Sequence, residues 1–304
     1  VGNPKVIAIV GPTCTGKTWL SLQLAEFLQT EIIACDSRTI YRHMNLGTAK
    51  PTLEERAGIP HHLLDIIEPN DSYTVARYKK DAEPILDRLI TEGKTPIVCG
   101  GTGFYFRNLL EGLSIPEVEA QQPLRQDLMR LADEQGNAVL HARLQQIDPN
   151  SAAKINVNDR FRIIRAIEVT TVLGEPFSSL AAKVSPKFDV VWLGLFYENR
   201  DLLREKIALR LQDQKDQGLV DEVRQLLAQY GRCNSLLATV SYKEIVQHLD
   251  NEIDLAHAMS LCAIHTNQLA RRQLTWFRSN KNINWMAVDV LDRSEILSTA
   301  KSLL

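Results

Sequence analysis

The chain has 304 residues, of which 44% are hydrophobic, and a formal net charge of -2. That much apolar side chain supports a sizeable core and excludes bulk disorder. The near-neutral balance argues for no global affinity for nucleic acid, so any such surface must be local.

In chain order, "KVIAIV" (Lys5 to Val10) is a β-branched run that predicts a buried strand. It runs straight into "GPTCTGKT" (Gly11 to Thr18), with no cleavable leader expected before it. "WLSLQLAEFL" follows and places Leu20, Leu24, Ala25, Phe27 and Leu28 on one helical face. "EIIAC" (Glu31 to Cys35) reads as a second buried strand beside the first, ending at Asp36. "YTVARYKKDAEPILDRLITEG" predicts an amphipathic helix stopped at Gly93, and "TPIVCGG" (Thr95 to Gly101) a third strand with a glycine exit. Strands alternating with helices imply a parallel sheet covered on both faces.

From Ser114 to about Pro186 the pattern turns helical and polar, as in "LRQDLMRLADEQG" and "AVLHARLQQID". The strand signal returns at "DVVWLGLFY" (Asp189 to Tyr197), and after Asn199 the chain reads as helical almost to its end. The expected fold is therefore α/β: a P-loop NTPase-like parallel-sheet core with a helical insertion domain and a helical C-terminal part. The core spans 1–112 plus 187–304 and the insertion 113–186. The longest apolar run, "VVWLGLF", is far too short to cross a bilayer. Five scattered cysteines with no C-x-x-C pair read as reduced thiols of a cytoplasmic protein, without a zinc knuckle.

"GPTCTGKT" matches the phosphate-cradling pattern at every fixed position, in the strand–loop–helix context it requires. Backbone N–H groups at such a helix start face inward and favour anions. Gly11, Pro12, Thr13, Cys14, Thr15, Gly16, Lys17 and Thr18 are thus the expected diphosphate-binding residues. Lys17 adds a point charge, and the Thr18 hydroxyl is a candidate Mg²⁺ ligand. Asp36, at the carboxyl end of a strand, suits three roles: holding Mg²⁺ through water, acting as a general base, or capping the next turn with Ser37. The third strand ends in Gly-Gly and not in a metal-holding carboxylate, which favours the base.

Thr102 in "GGTG" stands at the same sheet edge, either as a hydroxyl donor to a phosphate or reacting centre or as a turn former. His61 and His62 are adjacent, and on a strand they face opposite ways, which disfavours a shared metal. "NDRFRIIR" (Asn158 to Arg165) has Asp159 as an N-cap, with Arg162 and Arg165 one turn apart. "QLARRQLTWFRSNK" (Gln268 to Lys281) is basic, acid-free and interleaved with Trp276 and Phe277. Each cluster is either a solvated face or a surface for phosphates and stacked bases. Arg210, on the helix after "DVVWLGLFY", is either a surface residue or a side chain reaching back to the phosphates.

With these residues in hand, the chain resembles the bacterial-type tRNA dimethylallyltransferases, also called tRNA isopentenyltransferases. Eight segments carry the resemblance in order: "GPTCTGKT", "DSRTIYRHMNLGTAKPT", "GIPHHLLDI", "YTVARYKKDA", "PIVCGGTGFYFRNLLEGL", "NDRFRIIRAIEV", "LVDEV" and "QLARRQLTWFR". The resemblance implies transfer of a dimethylallyl group from dimethylallyl diphosphate to N6 of the adenine just 3′ of the tRNA anticodon, releasing pyrophosphate. It implies Asp36, Thr102 and Arg210 as catalytic residues, with Lys17 and Thr18 with Mg²⁺ sharing the stabilisation of pyrophosphate.

The residues implied to meet the tRNA anticodon stem-loop are Asp36, Ser37, Arg38, Thr39, Thr102, Arg125, Arg160, Phe161, Arg162, Ile163, Ile164, Arg271 and Arg272. Family members thread the adenine through a channel between core and insertion. A cytoplasmic monomer with no membrane partner is expected.

Three positions depart from the family pattern: Thr39 where Gln is often found, Asn267 where many members carry Arg, and Ser241 in place of a common Gly. Rival readings are an adenylate isopentenyltransferase, a small-molecule P-loop kinase and a non-catalytic RNA-binding protein. The first would not need "NDRFRIIR" or the basic tail, and the last would have no use for Asp36 and Thr102.

Overall fold

The computed structural model describes residues 2–113, 116–180 and 185–304. It divides into two compact units, Val1–Leu109 with Lys187–Leu304, and Leu110–Pro186. In chain order come β1 (Lys5–Val10), α1 (Lys17–Leu28), β2 (Ile32–Ala34), β3 (His61–His62), α2 (Val75–Thr91), β4 (Ile97–Gly100) and α3 (Gly103–Leu110). The second unit holds α4 (Gln122–Gln135), α5 (Asn137–Ile147), α6 (Pro149–Ala152), α7 (Arg160–Leu173) and α8 (Phe177–Leu180). The first unit then resumes with β5 (Asp189–Phe196), α9 (Arg200–Asp216), α10 (Leu219–Tyr230), α11 (Asn234–Leu237) and α12 (Tyr242–Leu249). It ends with α13 (Leu255–Phe277), β6 (Ile283–Ala287) and α14 (Arg293–Ser302).

All six strands are parallel, in the order β3-β2-β4-β1-β5-β6. β1 has a strand on either side and helices over its faces, so Val6 to Val10 are all fully buried. That is why "KVIAIV" reads as an unbroken apolar run and not as an alternation. Besides the two-residue edge strand β3, the sheet differs from expectation at two places. β2 is not beside β1; β4 lies between them, pairing Ala34 with Cys99 on one side and Ile9 with Cys99 on the other. The helical tail also contains a strand, β6, which pairs with β5 along Trp192–Phe196. Asn284 breaks its apolar run at an exposed position, and its side-chain amide donates to the Trp192 carbonyl.

Helix ends follow their caps. The Thr74, Asp159 and Asp254 side chains accept N–H bonds from Arg77, Arg162 and His257, starting α2, α7 and α13. On α1, Leu20, Leu24 and Ala25 are buried as expected, but Phe27 is 55% exposed. Its ring lies instead under the Lys301 ammonium of α14, 4.1 Å from the centroid.

The named elements of the second unit are all helices, and it has its own core of Leu128, Leu140, Leu144, Ile163, Ile164 and Ile167. Inside it, the fully buried Glu168 carboxylate accepts bonds from the Arg125 and Arg165 guanidiniums and the Gln121 backbone N–H. Burial alone would raise its pKa, but these donors outweigh burial and hold it at about 2.

Candidate active site

The carboxyl ends of β1, β2 and β4 meet at one edge of the sheet, where ligands bind in open α/β folds. The phosphate loop leaves β1 and turns into α1 through Gly16, whose φ of 86° is left-handed. Thr15 Oγ1 and Lys17 Nζ both donate to the Pro12 carbonyl, at 2.9 and 2.5 Å, which closes the loop on itself. Burial lowers the Lys17 pKa below that of a free lysine; the Arg210 charge pushes the same way, against Asp36 and the nearby thiols. Thr13 is fixed twice: its N–H donates to Gln273 Oε1 at 2.9 Å, and its hydroxyl accepts from Arg210 Nη1 at 3.1 Å.

Asp36 follows β2 and accepts the Arg38 N–H on Oδ1 at 2.8 Å, so it does cap its own turn. Thr102 turns the chain after β4: its N–H donates to the Cys35 carbonyl at 3.1 Å, and its hydroxyl accepts the Ser37 N–H at 3.0 Å. Gly100 makes this approach of β4 to β2 possible, since a Cβ there would lie 2.1 Å from the Cys35 carbonyl oxygen.

Two cavities adjoin at this edge. The smaller, about 190 Å³, is lined by the loop from Thr13 to Thr18 and by Ile32, Ala34, Thr39, Leu64 and Cys99. The larger, about 410 Å³, is lined by Ser37, Arg38, Thr102, Phe104, Arg272 and Trp276, with apolar Ile207, Leu211, Val240 and Leu269. Thr13, Asp36, Thr48, Ala49, Gly101, Arg210 and Gln273 line both. One cavity is walled by the loop and Lys17 and the other has aromatic and basic walls, with the Asp36 carboxylate where they meet.

A family model described as IPP transferase matches residues 39–280, and one described as isopentenyl transferase matches residues 4–68. The chain belongs to the IPP transferase family. The chain is 42% identical over 287 residues to the tRNA dimethylallyltransferase of Cyanothece sp., covering 94% of this chain and 93% of that one. It is 39% identical to the tRNA dimethylallyltransferase of Caldanaerobacter subterraneus, covering 94% and 92%. Among solved structures it is similar to the tRNA isopentenylpyrophosphate transferase of Bacillus halodurans (TM-score 0.73, 35% identity, 98% and 95% covered). It also resembles a eukaryotic dimethylallyltransferase captured acting on tRNA (TM-score 0.81, 26% identity, 98% and 77% covered). The family inferred from the eight sequence segments is thus the family shown.

The first unit brings Asp36, Thr102, Arg210, Lys17 and Thr18 to one sheet edge, and the residues from Asp36 to Thr39 divide between the two cavities. Ser37 and Arg38 line the larger, while Thr39 turns to the smaller with its hydroxyl buried and unpartnered. Arg272 lines the larger cavity; Arg271 is exposed and outside its lining.

Several residues expected to meet the tRNA have side chains engaged within their own unit. Ile163 and Ile164 are buried in the core of the second unit, so their side chains are spent on packing. Phe277 is buried against Phe106, whereas Trp276 lines the larger cavity. The Arg125 guanidinium is bound bidentate to Glu168, and Arg160 bonds to Asn137 and Asp133, so both brace the unit they stand in. Phe161 remains 75% exposed at the start of α7. His61 Nδ1 donates to the Ile59 carbonyl, and His62 pairs with Glu31.

Sequence reasoning missed Gln273. Its amide ties the phosphate loop to the β4 exit through Thr13 N–H and the Gly101 carbonyl. Its sequence signal was its place in "RRQLTW", one turn before Trp276 on the same face of α13.

Proposed function

We propose that this chain transfers a dimethylallyl group from dimethylallyl diphosphate to the exocyclic N6 of a tRNA adenine, the one 3′-adjacent to the anticodon. The observation that carries this reading is the position of Asp36, shared by a phosphate-loop cavity and an aromatic, basic one. The diphosphate takes the loop, with its prenyl C1 directed at Asp36. The adenine leaves its stack and enters beside Trp276 and Arg272. N6 attacks C1, the C1–O bond breaks, and the N6 proton passes to the Asp36 carboxylate, whose other oxygen is oriented by the Arg38 N–H. Lys17, Arg210 and the loop N–H groups meet the charge that grows on the departing pyrophosphate. Thr102 anchors Ser37 at the acceptor side of the same junction.

Mg²⁺ fits this site. The Thr18 hydroxyl is the hard oxygen donor of the loop, and no group of three or more His, Cys, Asp or Glu suited to a metal occurs among the described residues. That donor set matches an ion bound largely through substrate phosphates. When bound, Mg²⁺ would neutralise charge on the leaving pyrophosphate.

The test offers radiolabelled dimethylallyl diphosphate with unmodified tRNA, with AMP, or alone. Label is expected in tRNA. Label only in AMP would make this an adenylate isopentenyltransferase, and label in neither would sink prenyl transfer.

A further inference from the structure

The "LVDEV" segment at the start of α10 lies outside both cavity linings, yet one of its side chains grips the turn that leads into their common wall. Thr48 and Ala49 line both cavities. Ala49 has a left-handed φ of 52°, and His43, five residues after Arg38, has one of 63°. A non-glycine residue holds such a conformation only where its surroundings enforce it.

The enforcement is visible on each side. From α10, the Glu222 carboxylate accepts the Asn45 N–H at 3.2 Å and the Leu46 N–H at 3.0 and 3.1 Å. It also accepts the Tyr242 hydroxyl at 2.6 Å, and the Tyr242 ring packs under Gly47. From α9, Gln214 Nε2 donates to the Leu46 carbonyl at 2.6 Å. From within the loop, buried Lys50 Nζ donates to the Tyr41 carbonyl, Asn45 Oδ1 and Asp65 Oδ1.

We propose that Glu222 is a positioning residue: by holding the Asn45 and Leu46 amides it fixes the Thr48–Ala49 wall that separates the diphosphate cavity from the acceptor cavity. It touches no reacting atom in this arrangement. Its contribution is to the shape of both binding sites and not to the chemical step. The proposal rests on the prenyl-transfer reading for its kinetic arm but not for its binding arm.

Glu222→Gln tests it, because a carboxamide replaces one acceptor with an NH₂ that faces backbone donors. With the full chain, the KM for dimethylallyl diphosphate and that for tRNA are both expected to rise about tenfold, the equivalent of one charged hydrogen bond, with kcat within about threefold. The Kd for inorganic pyrophosphate, read by calorimetry without turnover, is expected to rise as well. Tyr242→Phe leaves the carboxylate on the loop amides and should change neither KM by more than about twofold.

A Glu222→Gln chain with unchanged pyrophosphate affinity, or one that loses kcat with both KM values intact, overturns the proposal. If that variant does not fold, Glu222→Asp, which keeps the charge but draws the carboxylate back from the Asn45 and Leu46 amides, takes its place, and unchanged KM values and pyrophosphate affinity there overturn it equally. A wild-type chain that binds pyrophosphate but labels no tRNA would count against the function instead, leaving the pyrophosphate comparison to decide the wall.

Discussion

At the residue scale, the reading turns on one carboxylate. Asp36 has Oδ1 committed to the Arg38 N–H and stands where both cavities meet. The three roles left open by its place after a strand are therefore partly compatible: it caps its turn, and the cap orients it. Asp36→Asn preserves the shape and the cap while removing the proton acceptor. Its expected effect is a fall in single-turnover rate of about 10²–10⁴-fold, the usual contribution of a general base. Pyrophosphate affinity measured by calorimetry should be retained. A near-normal rate would move the base elsewhere. Gln273 and Arg210 act on Thr13 from α13 and α9, so the loop is held by helices far from it in the chain.

At the element scale, the contact between α3 and α13 decides how Trp276 stands in the larger cavity. Gly103 begins α3, and a Cβ there would fall 2.0 Å from Trp276 Cδ1. The ring also meets Phe104 edge-on, with centroids 6.2 Å apart. Gly103→Ala is expected to destabilise the fold by about 1–3 kcal/mol through overpacking. The urea midpoint should recover when Trp276→Ala is added, because the two sites then no longer clash. Additive losses in that double-mutant cycle would show that the clash lies with another group.

At the scale of the whole molecule, each unit carries a carboxylate held well below its ordinary range. In the first unit, the Arg88 guanidinium and then His62 hold Glu31 at about 2, against the cost of burial. In the second, Arg125, Arg165 and the Gln121 backbone N–H do the same for Glu168. A depressed carboxylate stabilises the fold fully above its unfolded pKa of 4.5 and loses that contribution as the pH falls toward about 2. Urea midpoints measured from pH 6 to pH 2.5 should therefore fall below about pH 4.5. The fall should be shallower in Glu31→Gln, which starts from a lower midpoint. An unchanged acid slope in that variant would remove Glu31 from the account.

The sequence by itself determined the phosphate loop, the parallel α/β class and the family. These rest on local patterns: β-branched runs, glycine spacing, caps and eight segments in order. That Lys17, Asp36 and Thr102 would share one edge of the sheet was legible because each follows a strand or begins a helix there. What only the tertiary structure decided is which side chains of a cluster face where. Phe277 and Trp276 are neighbours in one basic helix, yet one packs into the core and the other lines a cavity. Ile163 and Ile164 share a segment with exposed Phe161 but fill a core. The insertion of β4 between β2 and β1, the strand β6, and the grip of Gln273 and Glu222 all depend on pairings between distant residues. No local periodicity encodes those pairings, because they are set by how the sheet orders its strands and how the C-terminal helices pack along its edge.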